Sequence, residues 1–226
     1  MKKIGLVGGI SWVSTLDYYK YINEEVNLRL GGLNAAELII YSLNFADVQK
    51  KTWEGAYELL LGACQSLKAS GVEAIVLGAN TAHLYADELE QAVQLPLISI
   101  VSETARYIKL QGLNTVGLLG TKFTMEKDFY RTKLEQLGLQ VVVPSLHETR
   151  EYIQHVVKEE LGRGEIKPES KARFIDIANE LMQEGAEGII LGCTEIPLLI
   201  SQVDFVVPVF DTTKIHAAAI VDYMLS

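Results

Sequence analysis

The sequence is poor in the residues that build cross-linked or metal-centred proteins. Its 226 residues include two cysteines, Cys64 and Cys193, and four histidines. Two distant cysteines make no disulfide framework, and the scattered histidines have no zinc-ligand spacing. We therefore expect neither disulfides nor a bound metal.

Long apolar runs and an excess of positive charge are also missing. No apolar run approaches the roughly 20 residues that a membrane-spanning helix needs. The apolar run that follows Met1-Lys2-Lys3 is too short for the core of a signal peptide. The formal net charge is −9, whereas nucleic-acid binders usually carry a basic surface. We expect a cytoplasmic protein that binds neither nucleic acid nor a membrane.

What the sequence does contain is an alternation of short, β-branched apolar runs with longer segments of helical periodicity. The runs lack in/out alternation, as expected where helices cover both faces of a parallel sheet. Gly71, Gly112, Gly138 and Gly185 follow helical segments, where a C-terminal glycine is favoured. The pattern predicts an α/β protein with parallel sheets. The predicted strands are 3–7, 38–43, 74–78, 97–100, 115–119, 141–143, 188–191 and 206–210.

The two halves of the chain resemble each other. Three segments of the first half recur in the same order 112 to 114 residues later. The recurring pairs are 5–8 with 117–120, 71–78 with 185–192, and 95–97 with 207–209. Self-similarity of this kind indicates a duplicated unit. We predict two α/β lobes related by a pseudo-two-fold axis, one of residues 1–98 plus 213–226 and the other of residues 99–212.

The duplication also indicates where chemistry should take place. Ligands of parallel α/β sheets gather at the carboxyl ends of the strands, so two facing lobes would place matching strand ends across one cleft. Cys193 follows Gly192 at one such end, and its counterpart after Gly78 is Ala79. A thiol near a helix N-terminus has a lowered pKa, which predicts a functional thiol at Cys193. Cys64 lies beside an apolar helical stripe and is expected in the core.

Other strand-to-helix junctions are rich in short polar side chains. Asn80-Thr81-Ala82-His83 follows a first-lobe strand, and Thr121 stands at the matching place in the second lobe. Such residues either cap the following helix or, with the free N–H groups, bind a carboxylate. Gly5, Gly8 and Gly9 do not fit the dinucleotide-binding fingerprint, and the junction lacks a P-loop lysine. No nucleotide cofactor is indicated.

Five motifs of the chain belong together: Gly8-Gly9-Ile10-Ser11-Trp12, Asn80-Thr81-Ala82-His83, Gly120-Thr121, Ile166-Lys167-Pro168-Glu169-Ser170 and Gly192-Cys193-Thr194-Glu195-Ile196-Pro197. In this order they resemble the aspartate/glutamate racemase family. The resemblance implies two Rossmann-like lobes with the site between them, usually within a homodimer. It also implies inversion of small acidic amino acids without pyridoxal phosphate or any other cofactor. Two opposed bases, normally cysteines, exchange the α-proton.

Carried over to this sequence, the family pattern assigns roles to individual residues. Cys193 is the implied second-lobe base, and Lys167 would meet the side-chain carboxylate of the substrate, although a lysine there is by itself ordinary surface. The remaining implied substrate-binding residues are Ile10, Asn80, Thr81, His83, Thr121, Thr194 and Glu195.

Ala79 departs from the family pattern, because it stands where the first-lobe cysteine or threonine is usual. A methyl group has no titratable proton, so two-base exchange cannot run from this side. Three explanations stay open: alanine replaced a native cysteine, another donor such as Thr81 or a water held by His83 serves, or the chain uses one base. The last would suit a one-thiol decarboxylase or isomerase. A non-catalytic protein that binds acidic amino acids is the alternative from another class.

Overall fold

The computed structural model describes residues 1–226, which form two compact units. The first unit combines Met1–Glu103 with Thr213–Ser226, and the second is Thr104–Thr212. Each unit contains one four-stranded sheet in which all neighbouring strands are parallel. The predicted α/β fold with parallel sheets is confirmed.

The first unit is built on strands β1 (Ile4–Gly8), β2 (Leu38–Ser42), β3 (Ala74–Leu77) and β4 (Leu97–Ile98). Their spatial order is β2-β1-β3-β4. Its helices are α1 (Trp12–Leu30), α2 (Phe45–Lys51), α3 (Tyr57–Ala69), α4 (Ala86–Val93), the start of α5 (Ile100–Leu110) and nearly all of α10 (Thr212–Leu225).

The second unit is built on strands β5 (Thr115–Gly120), β6 (Gln140–Val142), β7 (Ile189–Gly192) and β8 (Val209–Asp211). Their order is β6-β5-β7-β8, the same pattern as in the first unit. Its complete helices are α6 (Lys122–Glu126), α7 (Asp128–Gln136), α8 (His147–His155) and α9 (Pro168–Gln183). None of the helices in either unit combines the length and the hydropathy that a bilayer span requires.

Helices cover both faces of the first sheet, and β1 shows why its central strands are apolar throughout. Ile4 and Leu6 pack on one face with residues of α1 and α10, whereas Val7 packs on the other face with residues of α3 and α4. All three are fully buried, and burying one aliphatic side chain contributes about 1.5–3 kcal/mol. The edge strand β2 has less cover, since Ile40 and Tyr41 remain 37% and 39% exposed.

Most predicted strands differ from the observed ones by one residue at an end, and two differ by more. Ile100, predicted in a strand, is the first residue of α5. The chain turns into that helix at Ser99, whose carbonyl accepts the N–H of Glu103 at 2.9 Å. The predicted strand 206–210 begins only at Val209. Pro208 precedes it and has no N–H to donate to a neighbouring strand.

One glycine fixes the path of the chain after β1. Gly9 has φ +79°, and a Cβ placed there would lie 2.1 Å from the carbonyl oxygen of Leu43. Only glycine therefore lets the loop after β1 pass so close to the end of β2. Positive φ angles also occur at the four glycines predicted to follow helices, which are Gly71, Gly112, Gly138 and Gly185.

Candidate active site

Two loops of the first unit lie side by side because they follow neighbouring strands. β1 and β3 pair with Val7 opposite Leu77, and the N–H of Gly78 donates to the carbonyl of Val7 at 2.9 Å. The loop after β1 carries Ile10, and the loop after β3 carries residues 79–83. The fold therefore brings the predicted first-lobe site residues to one edge of the sheet.

Residues 79–81 form the centre of this edge. Ala79 is half-buried, while Asn80 and Thr81 are only 4% and 5% exposed. Asn80 stands at the N-cap of the 3₁₀ turn Thr81–Tyr85, but its side chain makes no capping bond. Helix capping, the ordinary reason for such residues at a junction, therefore does not account for Asn80.

The loop after β1 does serve its helix. The hydroxyl of Ser11 accepts the N–H of Ser14 at 3.3 Å, which caps α1. The hydroxyl of Thr15 accepts the N–H of Gly9 at 2.9 Å and donates to the carbonyl of Ser11 at 2.8 Å. The hydroxyls of Ser11 and Thr15 are therefore used within the loop itself. Ile10 is the residue of this loop that was predicted to bind substrate.

The geometry of His83 disagrees with its predicted role in binding substrate. Its Nδ1 lies 3.0 Å from the carbonyl oxygen of Ala79, and its Nε2 accepts the N–H of Ile100 at 3.1 Å. The side chain is buried. Since the backbone occupies both nitrogens, His83 has none to offer a substrate or a catalytic water.

A second buried histidine packs against the first. The ring of His216 lies edge to face with that of His83, with centroids 5.9 Å apart. Its Nδ1 is 2.8 Å from the hydroxyl of Tyr18, and its Nε2 is 2.8 Å from the carbonyl of Ile98. Burial is the main reason that the pKa of His83 falls to about 4 and that of His216 to about 3. Both rings are neutral at physiological pH.

These depressed pKa values predict a loss of stability in acid. The unfolded chain binds a proton at each histidine near pH 6.5, whereas the native protein does so only near pH 3–4, so acid favours unfolding. The stabilisation is complete above pH 6.5 and is lost as the pH falls towards 4. Urea unfolding should show the advantage of wild type over His216→Gln shrinking by about 1.4 kcal/mol per pH unit between about pH 6 and 4.

The control for this prediction is Val26→Ala, because Val26 is buried in the same apolar cluster as residues of α10 and has no titratable group. Its difference from wild type should change little with pH over the same window. A pH-independent difference for His216→Gln would contradict the prediction.

In the second unit, two loops again follow neighbouring strands. β5 and β7 pair with Gly120 opposite Gly192, so Thr121 and residues 193–195 leave the same edge of the sheet. The hydroxyl of Thr121 accepts the N–H of Thr124 at 3.2 Å and caps α6. Thr121 therefore has a structural role whether or not it also binds a ligand.

Cys193 supplies the thiol of this edge. It is 7% exposed, and its Sγ–H donates to Oε2 of Glu195 at 2.9 Å. The hydroxyl of Thr194 donates to the same oxygen at 2.9 Å. The thiol and the neighbouring hydroxyl therefore donate to the same carboxylate oxygen.

The pKa of Cys193 moves opposite to the predicted direction. Burial raises the pKa of the thiol well above its usual value, and the negative charge of Glu195 raises it further. The prediction relied on a helix N-terminus, but β7 is followed by a turn and only a short 3₁₀ helix, Ile196–Leu198. Backbone bonds from Thr194 and Glu195 favour the thiolate but do not outweigh burial.

Lys167 stands just before α9, which Pro168 begins. Its Nζ lies 3.3 Å from Glu160 and 3.7 Å from Glu165, and its side chain is 42% exposed. The bond to Glu160 raises the pKa of Lys167. The ammonium group is therefore charged and held by carboxylates, yet still reachable from solvent.

Glu160 is buried and contacts both Lys167 and Ser170, two residues of the motif 166–170. Its carboxylate accepts a hydrogen bond from Ser170 at 2.7 Å, which is the main reason that its pKa is lowered. Nothing in the sequence singled out Glu160 or His216. Glu160 reaches Lys167 through the π-helical turn Val156–Glu160, and no short motif includes that turn.

Comparison with known proteins places this arrangement among amino-acid racemases. A model of the Asp/Glu/hydantoin racemase family matches residues 7–220. RacX, a broad-specificity amino-acid racemase of Bacillus subtilis, is 25% identical over 99% of this chain and 98% of its own length. An aspartate racemase homologue from Pyrococcus horikoshii is 40% identical with a TM-score of 0.88, and a candidate Asp/Glu racemase from Yersinia pestis is 45% identical with a TM-score of 0.93. Each of these two structural matches covers 100% of this chain and 100% of the matched chain.

Proposed function

Because the chain belongs to the Asp/Glu/hydantoin racemase family, we propose that it inverts aspartate or glutamate at the α-carbon without a cofactor. The observation that carries the proposal is the buried thiol of Cys193, which donates a hydrogen bond to Glu195 at the end of β7. Racemisation needs one group that removes the α-proton and another that returns a proton to the opposite face. We assign one of these roles to Cys193.

Glu195 gives Cys193 a route to its reactive form. The S–H proton passes to the carboxylate of Glu195, and the resulting thiolate removes the α-proton of the substrate. The electron pair left on the α-carbon is delocalised into the substrate carboxylate. In the opposite direction the thiol, which its raised pKa keeps protonated, donates its proton to the carbanion. Glu195 is then a positioning residue and proton acceptor for Cys193, not a ligand of the substrate.

On the other face, Ala79 leaves only weak proton donors. His83 has both nitrogens bonded to the backbone, so a water held by this ring is not supported as the donor. Thr81 is the remaining candidate, since its hydroxyl belongs to a nearly buried residue two positions after Ala79. A hydroxyl gives up its proton far less readily than a thiol, so we expect slow racemisation.

Substrate binding is assigned to the polar residues of both edges. We propose that Asn80, Thr81, Thr121 and Thr194 hold the α-carboxylate and ammonium groups, with Ile10 against the carbon chain. Lys167 would bind the side-chain carboxylate, since an ammonium group has three donors and its two carboxylate partners leave it partly exposed.

A substitution at Lys167 tests the acidic substrate directly. Lys167→Gln should weaken binding of aspartate or glutamate roughly 10- to 100-fold, because a hydrogen bond between charged groups contributes about 1.5–3 kcal/mol. Calorimetric titration with each amino acid measures the effect. Lys171→Gln is the matched control, because Lys171 lies in the first turn of α9, four residues after Lys167, and pairs with Asp204 at 2.8 Å. Equal affinities in the two variants would count against a role for Lys167.

One observation favours a second candidate, a racemase of neutral or basic amino acids. Lys167 has Glu160 and Glu165 within 4 Å, so its surroundings already carry more negative than positive charge. The Bacillus subtilis relative is named for broad specificity. On this reading Lys167 is a structural cation, and the side chain of the substrate need not be acidic.

Proton exchange in D₂O separates these functions. Each enantiomer of aspartate, glutamate, alanine and lysine is incubated with the protein, and NMR follows the α-proton and the configuration. Inversion of aspartate or glutamate alone supports the proposal, and inversion of alanine or lysine supports the second candidate. Exchange with retention indicates a one-base site. Tight binding without exchange would favour a non-catalytic binding protein and overturn the proposal.

A further inference from the structure

His83 contacts the backbone of the very residue that breaks the family pattern. The ring belongs to the 3₁₀ turn Thr81–Tyr85 and reaches back four residues to the carbonyl of Ala79 at 3.0 Å. It is 6% exposed, so water does not compete for this bond. The ring thus has a fixed relation to the segment 79–81.

The hydrogen bonds define the tautomer of each ring. A carbonyl oxygen can only accept, so Nδ1 of His83 carries the proton, and Nε2 is bare because it accepts the N–H of Ile100. For His216 the carbonyl of Ile98 requires the proton on Nε2, and Nδ1 accepts from the hydroxyl of Tyr18. The two neighbouring rings are therefore opposite tautomers, each with both nitrogens satisfied.

The bond to Ala79 has a consequence for the segment that follows. The peptide group between residues 79 and 80 is planar, so holding the carbonyl of Ala79 also sets the direction of the N–H of Asn80. The Cα atom of residue 79 lies in the same plane, so only the torsion ψ of residue 79 remains to set the direction of its Cα–Cβ bond relative to the held peptide. Without the bond from His83, the peptide could rotate, and the directions of both the N–H and the Cα–Cβ bond would vary more.

We propose that His83 is a positioning residue, which fixes the peptide between residues 79 and 80 by donating its Nδ1–H to the carbonyl of Ala79. The assignment of this segment to substrate binding rests on the proposed function above, whereas the hydrogen bond and its tautomer do not. His216 supports the arrangement through its edge-to-face contact with His83. The competing interpretation is that His83 serves only to cap α5 through Ile100.

Two substitutions separate the two bonds of His83. His83→Asn places an amide N–H near the position of Nδ1, so it keeps the bond to Ala79 and loses the one to Ile100. His83→Gln places its amide near the position of Nε2, so it keeps an acceptor for Ile100 and loses the bond to Ala79. Thermal unfolding of both variants shows how much stability each loses.

The functional readout uses Ala79→Cys as the parent, where a thiol at position 79 can exchange protons. Adding His83→Gln should lower kcat for α-proton exchange at least tenfold, because that thiol is no longer held in place. Adding His83→Asn should recover most of the parent kcat even if its melting temperature falls as much. Equal losses of kcat in the two variants would show that His83 is only structural and would overturn the proposal.

A second readout does not depend on catalysis. Long-range ¹H–¹⁵N NMR correlations of the wild-type imidazoles should show the Nδ1–H form of His83 and the Nε2–H form of His216 at neutral pH. If His83 is the Nε2–H form, it cannot donate to Ala79 and the proposal is wrong. If Ala79→Cys has no exchange activity, the proposed function fails. The positioning role of His83 is then tested by the backbone amide NMR signals of Asn80 and Thr81 in the two His83 variants. Wild-type positions kept by His83→Asn and lost by His83→Gln support the positioning role, and any other pattern contradicts it.

Discussion

Ala79→Cys should raise the rate of aspartate or glutamate racemisation by at least about 100-fold. A well-placed general acid or base contributes about 10²- to 10⁴-fold, and residue 79 is the position at which the first edge lacks such a group. The residue is only half-buried, so its side chain is partly open to solvent. Circular dichroism of the amino acid, followed from each enantiomer separately, measures the rate.

The matched control is Ala79→Ser, which adds a side chain of similar shape with a far less acidic proton. It should stay close to the wild-type rate. The gain expected from the thiol also requires the α-carbon to lie within about 3–3.5 Å of it. If Ala79→Cys binds the amino acid and its rate stays flat, residue 79 does not serve the face opposite Cys193. The one-base or binding-only alternatives would then replace the proposed racemase.

Cys193→Ala should abolish racemisation in the Ala79→Cys protein, a loss of about 10²- to 10⁴-fold. Inversion requires a donor on each face of a planar carbanion, so the thiol at position 79, left without Cys193, exchanges protons without inverting the substrate. Stopped assays of inversion and of deuterium uptake, run on the same samples, distinguish these outcomes. Deuterium uptake from one enantiomer is expected to persist while inversion disappears.

Cys64→Ala is the control for this second prediction. Cys64 is a fully buried residue of α3, and burial raises its pKa to about 12. The substitution should lower the unfolding temperature and leave kcat nearly unchanged. If Cys193→Ala leaves inversion intact, Cys193 is not a base and the proposed mechanism fails.

The sequence was informative where structure depends on local pattern. The eight strands appear in the predicted order because central strands such as β1 and β3 are buried on both faces and are therefore continuously apolar. The resemblance to racemases rested on several ordered motifs, and the family match over residues 7–220 confirms it. The edge that gathers Ile10 and residues 79–81 followed from the rule that ligands collect at strand ends.

The pKa of Cys193 and the role of His83 could not be predicted from the sequence, because they depend on burial and on side-chain contacts that only the folded chain forms. The pKa of Cys193 was predicted in the wrong direction, because the thiol is buried in the fold, the carboxylate of Glu195 turns towards it, and the expected helix is only a short 3₁₀ turn. From the sequence, His83 was predicted to bind substrate. In the structure its Nε2 instead accepts the N–H of Ile100, which lies 17 residues further along the chain. Its partner His216 lies in a different part of the chain, and no spacing rule connects the two.

The return of α10 to the first unit imposes an order on the folding of the nascent chain. Ile220, Val221 and Met224 complete the apolar cluster around Ile4 and Leu6, and the N–H of Lys2 donates to the carbonyl of Met224 at 2.8 Å. Residues 104–211, all but the last of the second unit, leave the ribosome before that helix does. Domains usually fold in the order of their synthesis, but here the segment that is made second is complete first. The face of β1 that carries Ile4 and Leu6 is covered by α1 alone until α10 has been translated, which makes this a stage at which exposed apolar surface favours aggregation.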